Sequence, residues 1–117
     1  MTTATKKLLF DVREAAESIL QHTGGKGLAE YSSNRLLRRG VEREFEIIGE
    51  ALKRLSRLDA ATSARISELR RIVDFRNRVI HGYDTVDDMV VLGVAQEHLP
   101  LLLQEISDLL GTGESAA

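Results

Sequence analysis

Val41-Glu42-Arg43-Glu44-Phe45-Glu46-Ile47-Ile48-Gly49-Glu50-Ala51-Leu52-Lys53-Arg54-Leu55 decides the fold of this chain. Val41, Phe45, Ile48, Leu52 and Leu55 recur at spacings of three and four with charged residues between them, the pattern of a helix with one buried stripe. The stripe starts earlier, at Leu36 and Leu37, so the segment 28 to 58 reads as the main core helix, with a short helix first and a bend near Gly40. On its N-terminal side, Leu8, Leu9, Val12, Ala15, Ala16, Ile19 and Leu20 give residues 5 to 22 the same period. Gly24-Gly25-Lys26-Gly27 separates the two helices. Glycines beside a lysine suggest a phosphate loop, but the rest of that motif and its preceding strand are missing, so the stretch reads as a helix-ending turn.

C-terminal to the core helix, Asp59 or Thr62 can cap a third long helix that runs to about Ile80 through Ile66, Leu69, Ile72, Val73, Phe75 and Val79, with Gly82 as its stop. Residues 87 to 110 are apolar on nearly every side, as expected of a helix buried in a bundle or at a dimer seam. Pro100 suits the first turn of its second half, or a kink. The expected architecture is all-α, a four- to five-helix up-and-down bundle forming one domain over residues 1–110, with a fraying, disordered tail over 111–117.

Composition agrees and excludes several kinds of chemistry. One Pro, no Trp and five aromatic residues among 117 favour helix over sheet. The absence of Cys removes disulfides, thiolate nucleophiles and the usual structural zinc sites. No apolar run approaches the ~18 residues of a membrane span and no leader is readable, so a cytosolic protein with no membrane partner is expected. Net charge is −2, yet residues 35 to 78 hold twelve basic and seven acidic residues, and eleven of the twelve are Arg. Arg is the residue suited to bidentate phosphate contact, so a polyanionic ligand is one reading of this segment. The other is a set of surface ion pairs with Glu42, Glu46, Glu50 and Glu68.

Chemistry concentrates in Phe75-Arg76-Asn77-Arg78-Val79-Ile80-His81-Gly82-Tyr83-Asp84, where the third helix ends. A guanidinium holds phosphoryl oxygens, and an imidazole exchanges protons near neutral pH. An Arg four to six residues before a His is expected roughly once by chance in a chain this rich in Arg, so position matters more than spacing. On a helical wheel Arg76 falls near the middle of the apolar arc, Arg78 lies on the solvated side, and Asn77 and His81 flank the arc. A guanidinium on an apolar face needs a carboxylate, a subunit boundary or a ligand. Glu44, within the apolar arc of the core helix, is the expected carboxylate. The structural alternative is a single salt bridge between helices, with His81 placed favourably at a helix C-terminus.

Arg76-Asn77-x-x-x-His81-x-Tyr83 resembles the Arg-x4-His-x-Tyr signature of HepT-like toxins, a branch of the HEPN superfamily of small helical ribonucleases. Phe45-Glu46-Ile47-Ile48-Gly49-Glu50-Ala51 is similar to that family's core-helix motif, and Val86-Asp87 and Leu99-Pro100 fall where members carry similar pairs. The acidic Glu44 departs from the neutral polar residue expected there. The resemblance implies a homodimer that cuts RNA without metal or other cofactor, with His81 as general base on the ribose 2′-hydroxyl, Arg76 stabilising phosphoryl charge, and Asn77 orienting phosphate or imidazole. It also implies a nucleotidyltransferase-like antitoxin as partner, able to enter a larger hetero-oligomer and to adenylylate Tyr83. The rival reading is a non-catalytic helical adaptor that binds a nucleotidyltransferase. His22 and His98 match no motif, no His/Asp/Glu grouping has metal-ligand spacing, and Ser32, Ser33, Ser56 and Ser63 lack a neighbouring base in sequence.

Overall fold

A computed structural model describes the backbone of residues 1–81 and 87–115, with side chains for 1–78 and 87–111. Its described residues form α1 (Thr3–Thr23), α2 (Leu28–Ser33), α3 (Arg35–Leu58), α4 (Ala60–Ser63), α5 (Leu69–His81), α6 (Asp88–Glu97) and α7 (Leu99–Ser115), with no strand among them. The all-helical expectation therefore holds: among the described residues five helices have ten residues or more, and two short helices lie between them.

α3 is the central element, with α1 packed along one flank and α5 along another, while α7 closes on α1. Its buried stripe is Val41, Phe45, Ile48, Gly49, Ala51, Leu52 and Leu55, the register read from the sequence from Val41 onward; the expected start of the stripe does not hold, since Leu36 is 85% exposed and Leu37 only partly buried. Leu9, Ile19, Ile72, Leu102 and Ile106 complete a core from which water is excluded. Each such side chain contributes about 1.5–3 kcal/mol relative to exposure, enough to outweigh modest helix propensity.

Local chemistry sets the helix boundaries. Thr2 Oγ1 accepts from the Thr5 backbone N–H at 3.1 Å and starts α1. Gly25, at φ +75°, turns the chain after α1, a conformation that strains any residue with a Cβ. Gln96 of α6 donates to the Lys26 carbonyl at 3.0 Å, so the glycine stretch is a fastened turn between helices. The break before the core helix falls at Asn34, whose Oδ1 accepts from Leu37 N–H at 3.0 Å. Gly40 lies inside the continuous helix α3.

The third helix departs further from its expected form. Asp59 does cap, accepting from Thr62 N–H at 3.0 Å, but it caps only the short α4. The chain then turns through residues 64–68 before α5 begins. Glu105 of α7 accepts from both Ser67 N–H at 3.1 Å and Ser67 Oγ at 3.0 Å, satisfying a backbone donor that a continuous helix would have used internally. A cap reaching in from a distant helix is invisible to local pattern. The apolar region 87 to 110 divides at His98 into α6 and α7, with Asp87 capping the first through Met89 N–H at 2.9 Å and Pro100 in the first turn of the second. α7 continues past Leu110 as helical backbone to Ser115. The expected helix stop at Gly82 lies outside the described residues.

Candidate functional site

A glycine in mid-helix costs about 1 kcal/mol relative to alanine, so Gly49 in the buried stripe of α3 calls for a reason. α5 supplies it. A Cβ at Gly49 would overlap Cβ and Cγ of Arg76 and approach its Nε to 2.9 Å. The Arg76 side chain thus lies directly across the α3 backbone, and only glycine leaves room for it. Phe45 and Phe75 pack edge to face beside it, ring centroids 4.9 Å apart, and hold the two helices in register.

Arg76 is 7% exposed, the burial expected from its place in the apolar arc. Its charge is only partly answered. Nη2 lies 3.5 Å from Glu50 Oε2, while Glu50 is half-exposed and its other oxygen accepts from Arg54 Nε at 3.1 Å. Among the described residues, neither Nε nor Nη2 of Arg76 has a hydrogen-bond partner. A buried guanidinium is thus held in place with a partial counter-charge and, among the described residues, without hydrogen bonds to two of its nitrogens, which is costly for stability.

The expected partnership of Arg76 with Glu44 is not formed. Positions 44 and 50 lie about 120° apart around a helix, and the α5 flank belongs to Glu50. Glu44 faces α1, in a groove of about 410 Å³ with Ser18 and His22. Burial raises its carboxyl pKa above the ordinary glutamate value, and the charge of Glu14 on α1 raises it further. The ionised form is therefore disfavoured at Glu44, the opposite of what pairing with Arg76 would give.

Asn77 follows Arg76 on α5 and is half-buried. His81 is the last residue of α5; its side chain, and Tyr83 entirely, lie outside the described residues. The sequence pattern places Gly49 and Glu50 within a motif but gives neither a role beside Arg76. The signal that points to them is a glycine interrupting a buried stripe, followed by a carboxylate one position on. Arg39–Glu42, Arg43–Glu46 and Arg54–Glu50 on α3 are ion pairs along that helix, so part of the basic segment is ordinary surface pairing. His98 approaches Glu68 at 3.1 Å, away from Arg76. Among the described residues, no group of three or more His, Asp or Glu is arranged to hold a metal ion.

Among the described residues, then, the chain is a small helical bundle with a buried arginine on its central helix pair, two of its nitrogens without a hydrogen-bond partner, five positions before a helix-terminal histidine. Comparison with known proteins specifies the class. Residues 12–109 match the model of the family described as "Ribonuclease HepT-like", and the chain belongs to that family. Among relatives is the Methanocaldococcus jannaschii protein named "Putative RNase MJ1380", 28% identical over 101 residues, covering 86% of this chain and 92% of the relative. A second protein of that organism, "Putative RNase MJ1216", is 27% identical over 115 residues, covering 95% of this chain and 94% of the relative. No solved structure gives a significant match.

Proposed function

We propose that this chain is the toxin of a toxin–antitoxin pair and acts as a metal-independent endoribonuclease in a homodimer. The observation carrying the reading is Arg76, held across Gly49 with Nε and Nη2 lacking a hydrogen-bond partner among the described residues. Membership of a ribonuclease family supports a phosphodiester as the anion.

The neutral imidazole of His81 takes the proton of a ribose 2′-hydroxyl, and the 2′-oxygen attacks the adjacent phosphorus. Arg76 stabilises the charge that develops on the non-bridging oxygens, and Asn77 orients the phosphate. The bond from phosphorus to the 5′-oxygen breaks, and that oxygen takes a proton from His81 of the partner subunit. The products are a 2′,3′-cyclic phosphate and a 5′-hydroxyl. Such a step uses groups that act near neutral pH and requires no metal of the chain's own.

Inhibition follows from the phenol of Tyr83, two positions beyond the base. A nucleotidyltransferase antitoxin transfers an adenylyl group from ATP to its oxygen and releases pyrophosphate. The added phosphate places bulk and like charge where RNA would enter.

Cleavage of total RNA in EDTA by the wild-type protein and by His81→Ala, with product ends mapped, tests the reaction. Cyclic phosphate ends that vanish in the variant are expected. Equal behaviour of the two proteins, both folded and dimeric, would leave the helical adaptor as the better description. For regulation, mass spectrometry after incubation with antitoxin and ATP is expected to find adenylyl additions on the wild type and none on Tyr83→Phe.

A further inference from the structure

α5 presents a second arrangement of arginines, on the side away from Arg76. A groove of about 580 Å³ opens there between α5 and α6, with Phe75, Val90 and Val94 among its apolar walls and Arg70, Arg71 and Arg78 around it. Two carboxylates also line it, Glu68 and Asp74. Glu68 is already engaged: Arg71 Nε lies 3.5 Å away and His98 Nδ1 3.1 Å away. Asp74 stands one helical turn from both Arg70 and Arg78, yet among the described residues neither arginine forms an ion pair. This distinguishes them from the arginines at 39, 43 and 54, each neutralised along α3. Among the described residues, two guanidinia without an ion pair stand against one carboxylate, which leaves the row net positive. A groove lined by Asp11, Glu14 and Glu44 has the opposite character and would repel a polyanion.

Register connects this row to the proposed chemistry. Positions 70, 74 and 78 follow one another at four-residue steps, and position 81 comes three after 78, so the row continues toward the end of α5 that carries His81. From position 70 to position 81 the helix axis advances about 16 Å.

We propose that the groove between α5 and α6 is a binding track for the single strand of RNA flanking the cleaved bond. Arg70 and Arg78 contact its backbone phosphates, and the apolar walls receive the face of an unstacked base. The inference rests on the ribonuclease reading and adds where the substrate lies. Phosphate contacts fix position without reading sequence, so the track confers a preference for unpaired RNA of sufficient length.

The test uses the double variant Arg70→Gln/Arg78→Gln, with Arg57→Gln, an exposed arginine not lining the groove, as a control for lost charge. Cleavage of a single-stranded oligoribonucleotide of about twelve residues is compared with cleavage of a dinucleotide across a salt series. For the double variant, KM on the long substrate is expected to rise about tenfold or more, with kcat nearly unchanged and the salt dependence reduced by about one to two phosphate contacts. Dinucleotide cleavage should be unaffected because that substrate cannot reach the groove. An unchanged KM and salt slope on the long substrate would overturn the track, as would an equal loss on the dinucleotide or with Arg57→Gln. Retained RNA affinity with lost binding of the nucleotidyltransferase would make the groove a protein-docking face instead. If the wild-type protein cleaves nothing, the ribonuclease reading fails separately. Fluorescence anisotropy of the same oligonucleotide, with the same variants and salt series, then decides the track by the same loss of affinity and slope.

Discussion

The two flanks of α3 treat charge in opposite ways. Toward α5, a cation is buried: Arg76 lies across Gly49 with a partial counter-charge from Glu50. Toward α1, a carboxylate is partly buried: Glu44 faces Glu14, and both its desolvation and that neighbour raise its pKa. The first arrangement keeps a charge where it is expensive and, among the described residues, leaves two of its nitrogens without a hydrogen bond. The second eases its cost by favouring protonation. Such a contrast teaches that burial alone does not mark a site; a group that must stay charged under all ordinary conditions, as arginine must, is the more informative one.

The comparison is broken most severely at Arg76. Arg76→Lys is expected to reduce RNA cleavage by about 10²–10³-fold, because an ammonium cannot reproduce the planar fork in the transition state. Steady-state kinetics with circular dichroism checks that the fold persists; full activity in the lysine variant would remove Arg76 from the chemistry.

Gly49→Ala comes next. Alanine in a helix interior normally stabilises by about 1 kcal/mol relative to glycine. Here its Cβ would collide with Arg76, so a net loss of about 1–3 kcal/mol is expected, together with weaker cleavage. Urea denaturation measures the sign, and a stabilised variant would show that Arg76 can move aside cheaply.

The smallest effect is expected on the α1 flank. A raised folded pKa means that the ionised Glu44 opposes folding at neutral pH and that protonation relieves the opposition as pH falls through that pKa. Glu44→Gln should therefore raise Tm at pH 7, by an amount that shrinks on acidification and disappears once Glu44 is protonated in both folded and unfolded states. An equal gain at pH 7 and pH 4 would assign the effect to packing.

Much of this organisation is legible in the order of residues alone. Period and spacing identify α1 and the buried stripe of α3, and the wheel places Arg76 on an apolar face, because helical geometry relates sequence position directly to direction. Glu44 is the wrong counter-ion because a wheel describes one helix at a time. Glu44 and Glu50 both adjoin the stripe, and the angle at which α5 crosses α3 selects between them. Local pattern also misses the break at residues 64 to 68, where Glu105 from α7 supplies the cap.

By itself, then, the sequence determined that the chain is helical, where its main buried stripe runs from Val41 onward, and that its candidate site residues gather at the end of α5. Those properties follow from residue type and from the fixed rotation of a helix. Only the tertiary structure decided that Gly49 makes room for Arg76, that Glu50 answers its charge, and that Arg70 and Arg78 border an open groove. Each depends on distances between segments far apart in the chain, and such distances are set by how whole helices pack.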